Sequence, residues 1–426
     1  MASFLFKFLS FPFRVLIRSS SSTLTKVSLF VENNHQITEG LGQVERVCAK
    51  YGLIIAKTFE DYCDERRSKG RKWKAFIMRT VQVIYFIKNL LVAIFPSNKF
   101  IRNFCSDGNY ILGPVRVVSL SSAFGPGFNL MISLFMHFKE LTQSDGKYLI
   151  FKLLNDIKLR RPEQRLRHKH SVRYGLYLNL MARYLSEPTI KFLYILTTLA
   201  VVQAQIYGYY DQNNDVPLLA LIFWSFVNEL TFYCSWSTNI CISLLSVSVI
   251  LQIKYQFKEI NEQIIDYQKS ENPRLLMDAL LRHNELTVKT HRLNQFFKYV
   301  IAIFYFMVTP VMDFLIHSGQ DHQTSIVYRV ASGIFFLTLI IVMLSINVLS
   351  VSVTKTAHNS EKLLNKIMFR NKLSQKLKLK VISTIERLSE THIGFYCLDL
   401  FPMNYYNFYE YCVQIFLFYF LFCSLI

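Results

Sequence analysis

Long uninterrupted apolar runs constrain this chain more than any other feature. A helix needs about 20 mostly apolar residues to cross a hydrocarbon core of about 30 Å. Residues 188–208, 217–252, 297–317, 327–354 and 403–426 each supply such a run. Two more stretches qualify with interruptions: 79–96, broken by Lys88, and 110–138, broken by Arg116 and by Gly125-Pro126-Gly127. A soluble fold would have to hide all seven. With 52% hydrophobic and only 18% charged residues, against about a quarter charged in soluble domains, the chain is expected to be an all-α, polytopic membrane protein with seven transmembrane helices.

Basic residues set the orientation. The chain carries 48 Lys+Arg against 29 Asp+Glu, a net charge of +19, and these residues cluster in alternate connections. Segment 139–187 holds Lys158, Arg160, Arg161, Arg165, Arg167, Lys169 and Arg173; 253–296 and 355–402 are similarly basic, while 209–216 and 318–326 contain no Lys or Arg. Because Lys and Arg resist translocation, the basic segments and the amino terminus are expected in the cytoplasm and the carboxyl terminus on the extracellular side. Nucleic-acid binding is set aside, since no nucleic-acid motif or soluble basic domain accompanies the charge.

The resulting layout is a cytoplasmic region 1–78; spans one to four within 79–252, with a cytoplasmic loop at 139–187; a cytoplasmic helical anchor at 253–296; spans five and six at 297–354; a cytoplasmic helical segment at 355–402; and a seventh span at 403–426. The 217–252 run is too long for one perpendicular crossing and too short for two, so it reads as one tilted helix continuing into the cytosol. Within 274–296 and 373–390 apolar residues recur at three- and four-residue spacing, the pattern of amphipathic helices. Pro273 marks the break before the first. Spans five and seven are therefore expected to begin as helices below the membrane. The amino-terminal MASFLFKFLSFPFRVLI is interrupted by Lys7, Pro12 and Arg14 and reads as a surface amphipathic segment rather than a cleaved signal peptide.

Catalytic and metal chemistry find no foothold. There is no G-x-S-x-G, H-E-x-x-H or glycine-rich phosphate loop, and the eight cysteines are scattered without a C-x-x-C pair. No enzyme activity, metal or cofactor is expected. His168, Lys169 and His170 read as a solvated charge run facing lipid head groups.

Three motifs past the fourth run then stand in order. Phe257-Lys258-Glu259-Ile260-Asn261-Glu262-Gln263-Ile264 resembles the F-x-x-(L/I)-N-x-x-(L/I) signature of insect gustatory receptors. His283 to Leu286 and Asn294-Gln295-Phe296 resemble that family's H-x-x-L and N-x-F stretch. Phe395 to Asn404 resembles its F-x-x-x-G-L-F-x-(L/I)-(N/D) entry to the last span, with Asp399 in place of the usual Gly. The hallmark T-Y and Q-F positions are occupied by Leu417-Phe418 and Ser424-Leu425, so the chain resembles a divergent member or a gustatory-receptor-like relative, over roughly 217–426. By family spacing the sequence would end close to Ile426.

The resemblance implies a tastant-gated, non-selective cation channel for taste perception, passing monovalent and divalent cations. It would be a homo- or hetero-tetramer with other gustatory receptors, in the plasma membrane of a sensory neuron and in contact with membrane lipids. The seventh helices would line the pore, with Ser424 and Leu425 at the gate by motif transfer. Phe418, Phe420 and Leu421 share that helix, and Glu410 near its cytoplasmic start forms either an acidic ring attracting cations or a salt bridge to a stalk Lys or Arg. For a small-molecule pocket in the outer halves of the spans, aromatic and directed polar groups are needed. Tyr207, Trp224, Asn228, Glu229, Tyr305, Asp313 and Tyr328 supply them; Asp313 also has Arg329 and Arg116 as candidate ion-pair partners. The rival functions are a non-conducting co-subunit and a secondary transporter, although no internal repeat of the kind found in transporters is visible.

Overall fold

The computed structural model describes residues 35–50, 69–95, 97–105, 145–158, 166, 168–211, 218–320, 326–370, 373–390 and 393–404, together with single helical positions between 119 and 134 and between 406 and 420. The amino-terminal segment, most of the 110–138 run and the last six residues lie outside the described residues.

Long helices organise the molecule. After α1 (His35–Lys50), α2 (Lys69–Ile94) and the short α3 (Lys99–Phe104) come α4 (Asp145–Lys158) and α5 (His168–Asn179). A π-helical turn at Leu180–Ser186 carries α5 directly into α6 (Glu187–Asp211). Then follow α7 (Leu218–Ser270, 53 residues), α8 (Pro273–Gln320, 48 residues), α9 (Ile326–Arg370, 45 residues) and α10 (Gln375–Glu390). At 1.5 Å per residue α7, α8 and α9 are about 80, 72 and 68 Å long, more than twice a hydrocarbon core. Among the described residues these three are the helices long and apolar enough to cross a membrane. Each must therefore project well beyond it, and their polar ends do so together.

α7 is the central element: 83% of its most apolar window is buried, against 39% for α9. It packs most extensively on α9, then on α8 and α6. The reversal from α7 to α8 is sharp. Glu271 takes a positive φ of 52°, and the Asn272 side chain accepts the Arg274 amide at 3.1 Å. This caps a helix that starts on Pro273, where a missing amide costs nothing.

Polar clamps join the projecting ends. Asn261 donates to the Thr356 carbonyl at 2.8 Å and accepts from Ser360 at 2.6 Å, tying α7 to α9. Phe257 is fully buried with its ring 5.3 Å from that of His283 on α8. Leu377, Val381, Thr384 and Leu388 of α10 turn inward, and Arg387 donates to Asn284 of α8.

Two features differ from the sequence expectation. The 139–187 segment holds α4 and α5 rather than a loop, and these clasp α1: Leu41, Val44, Leu154, Tyr174 and Leu178 are all buried there. α1 and α5 approach so closely that a side chain at Gly40 would meet the Gly175 carbonyl at 2.7 Å. The final helix, in turn, does not continue the 373–390 helix. α10 ends at Glu390, and a two-stranded antiparallel hairpin, β1 (Tyr396–Cys397) and β2 (Phe401–Pro402), intervenes.

Candidate functional site: a buried polar face and a helix junction

The hairpin is fastened to one face of α8. Asn294 and Lys298, four residues apart, lie one above the other. The Asn294 side chain accepts the Tyr396 amide at 2.9 Å, the Lys298 carbonyl accepts the Leu398 amide at 3.1 Å, and the Lys298 ammonium sits 2.7 Å from Asp399. The turn needs a positive φ of 51° at Leu398. Phe395 is buried edge-on against Phe297, ring centroids 5.5 Å apart. The Asn294 and Phe395 motif positions thus dock the entry to the closing helix.

Tyr305 carries this connection onward. Its hydroxyl donates to Asn347 of α9, its carbonyl accepts from the Tyr411 hydroxyl at 3.3 Å, and the two tyrosine rings lie 4.1 Å apart. A small cavity beside it, with room for about one water, is lined by Ser246 of α7, Phe297 and Tyr305 of α8, and Met343 and Asn347 of α9. Tyr305 links α8, α9 and the closing helix, and its polar atoms are engaged.

Toward its amino-terminal end α7 presents a different surface. Asn228, Thr231, Ser235 and Asn239 follow three- and four-residue spacing and so share one helix face. All four are buried, and Asn228 Oδ1, Thr231 Oγ1, Ser235 Oγ and Asn239 Oδ1 have no hydrogen-bond partner among the described residues. Trp236 Nε1, Ser332 Oγ on α9 and Asp313 Oδ1 on α8 are likewise buried and unpartnered. The Trp236 ring packs 4.6 Å from Phe335, which holds this part of α7 against α9. Buried polar atoms ordinarily have partners, so this face of α7 carries polar atoms able to bond water or a ligand.

The residues expected from the sequence to form a pocket and a pore divide accordingly. Asn228 and Asp313 belong to the unpartnered set, and no Asp313–Arg329 ion pair forms among the described residues. Trp224 is a strut instead: its indole donates to the Phe104 carbonyl at 2.8 Å, and Lys88 lies 5.0 Å above its ring. Glu229 accepts from Tyr194 of α6 at 3.3 Å. Tyr207 lies on α6 and Tyr328 on α9, with side chains outside the description. Glu410 and Phe420 are exposed on the closing helix, and Glu410 makes no ion pair among the described residues; Phe418, Leu421, Ser424 and Leu425 lie outside them. Thr231, Ser235, Trp236, Asn239 and Ser332 escape a reading of the sequence, although polar residues at helical spacing inside an apolar run are the available signal. Among the described residues no cluster of His, Cys, Asp or Glu has metal-site geometry.

His170 corrects a further expectation. It is fully buried rather than solvated, with Nε2 3.1 Å from Glu262 and its ring 5.6 Å from Tyr255.

Three helices long and apolar enough to cross a membrane, packed on one another with a buried polar face on α7, define a helical membrane protein. The chain shares its fold with the insect olfactory receptor OR5 from Machilis hrabei, with a TM-score of 0.61 at 9% sequence identity, covering 84% of this chain and 91% of that one. The same receptor in complex with eugenol aligns with a TM-score of 0.63 at 11% identity, covering 93% and 100%. No protein-family model and no curated protein matches the sequence.

Proposed function

We propose that this chain is a chemoreceptor subunit of the gustatory type: a ligand-gated cation channel of seven spans that assembles as a tetramer around its closing helices. Supporting it most is the likeness of nearly the whole chain to a receptor solved in complex with eugenol, combined with the unpartnered polar wall at the outer end of α7. A ligand that satisfies those atoms and moves α7 against α8 and α9 would act on Tyr305, and through Tyr411 on the closing helix.

Two uncovered surfaces agree with assembly. Tyr406, Tyr409, Val413, Leu417 and Phe420 recur every three or four residues along the closing helix, all exposed in the single chain. Leu275, Leu281 and Val288 are exposed on the cytoplasmic part of α8, where water rather than lipid would meet them. Partner subunits would cover both. The test is the protein in mild detergent and in cells: a four-fold particle and tastant-evoked cation currents are expected, and a stable monomer without currents in any subunit combination would end the proposal.

A further inference from the structure

The junction of α5 and α7 below the membrane collects positive charge that its own residues do not balance. The apolar run of α7 ends at Leu251, and Lys254 and Lys258 follow on one face, four residues apart. Like charges at that spacing repel. α5 brings Arg173 and Lys169 to the same place. The Lys258 ammonium is held below its usual pKa by burial and then by Arg173, with Lys169 adding to it against the opposing pull of Glu262. Lys254 is lowered by burial and then by Lys258.

The carboxylate that faces this cluster is already engaged: Glu262 lies 3.7 Å from Lys169 and 3.1 Å from His170. Among the described residues Arg173, Lys254 and Lys258 form no ion pair. Depth is informative too. At 1.5 Å per residue, Lys254 and Lys258 sit about 5 and 10 Å beyond Leu251, within and just past a head-group layer of about 5–7 Å. Tyr255, buried between them against Tyr174 and His170, stiffens the floor of this site.

We propose that the α5–α7 junction binds the phosphorylated head group of an inner-leaflet phosphoinositide through Lys169, Arg173, Lys254 and Lys258. Multiple phosphates would neutralise four cations that otherwise repel one another, and basic sites between helices at the cytoplasmic face suit such head groups. Binding there would brace α5 against α7, the helix that also carries the outer polar wall. The assignment rests on the cytoplasmic placement of this end of α7, which labelling of a carboxyl-terminal epitope on intact cells checks independently.

The experiment uses the full chain in nanodiscs of phosphatidylcholine alone, with phosphatidylserine, or with a phosphoinositide, reading lipid affinity by native mass spectrometry and stability by thermal unfolding. The phosphoinositide is expected to bind and raise Tm, and phosphatidylserine to do so much less. At about 1 kcal/mol per basic residue, K254Q/K258Q should weaken binding on the order of thirtyfold, while K376Q/K378Q on α10 should leave it unchanged. The exposed R173Q, expected to cost about fivefold, serves if the double variant does not fold. Undiminished affinity in the folded variants, equal binding of phosphatidylserine, or equally tight binding of a soluble inositol phosphate would each overturn the assignment.

Discussion

The Lys298 ammonium lies 2.7 Å from the Asp399 carboxylate, joining the buried face of α8 to the exposed turn of the hairpin. Lys298 is 9% exposed and Asp399 81%, so the pair falls between a surface bridge worth up to about 1 kcal/mol and a buried one whose breakage costs about 3–5 kcal/mol.

Replacing Asp399 by Gly, the residue usual in the resembled motif, should therefore cost about 1–2 kcal/mol and loosen the docking of the closing helix. K298M should recover part of that stability in the D399G background, because no unpaired buried charge remains. A double-mutant cycle on thermal unfolding measures the coupling; strict additivity would show that the contact is incidental.

Tyr305 and Asn347 share a buried hydrogen bond. Y305F leaves the Asn347 oxygen without its donor and should cost about 1–3 kcal/mol. If Tyr305 transmits motion rather than touching ligand, the variant should change maximal current or activation threshold while direct ligand binding stays the same. A loss of binding affinity matching the loss of response would return Tyr305 to the ligand pocket.

At the polar face of α7 the opposite balance is expected. Thr231 and Ser235 present buried hydroxyls with no partner, and removing an unpaired buried polar group is neutral or stabilising. T231V and S235A should keep or raise the Tm of the unliganded protein yet weaken the agonist response about tenfold or more. A clear drop in unliganded stability would mean that these hydroxyls serve the fold.

His283 supplies a pH dependence. Burial first, then the nearby Arg387 and His358, push its pKa from 6.5 down to about 4, while the nearby Ala357 backbone opposes them. Its folded pKa is depressed, so the stability it contributes is fully present above 6.5 and is lost as pH falls from there toward about 4, because only the unfolded chain takes up the proton. The loss approaches about 1.4 kcal/mol per pH unit. Thermal unfolding followed from about pH 7 to about pH 5 should show this slope, and H283Q should flatten it; equal slopes would remove His283 as the cause.

Glu410 is exposed near the start of the closing helix, where four copies around an axis would form an acidic ring. E410Q should lower cation conductance or selectivity without shifting the agonist dose. Identical single-channel currents in the two proteins would dismiss the ring.

Much of this architecture was legible in the order of residues because hydrophobic periodicity is a local property. Apolar runs mark helices that lipid or protein must cover, and the three- and four-residue patterns around Leu280 and Val381 mark faces that must be buried. The reversal at Pro273 follows from a residue that cannot donate a backbone hydrogen bond. Spacing within one helix also puts Asn228, Thr231, Ser235 and Asn239 on a common face, but of these Asn228 alone is singled out from the sequence.

What spacing within a helix cannot express is which helix meets that face. Only the tertiary structure set Tyr305 between Asn347 and Tyr411, made Trp224 a strut rather than an open aromatic wall, and buried His170 against Glu262 instead of leaving it in solvent. It also separated α10 from the closing helix by a hairpin held on Lys298. Each of these contacts joins residues dozens of positions apart, so their energies depend on geometry created when the helices pack; the sequence determined the helices and their apolar faces, and packing determined the partners.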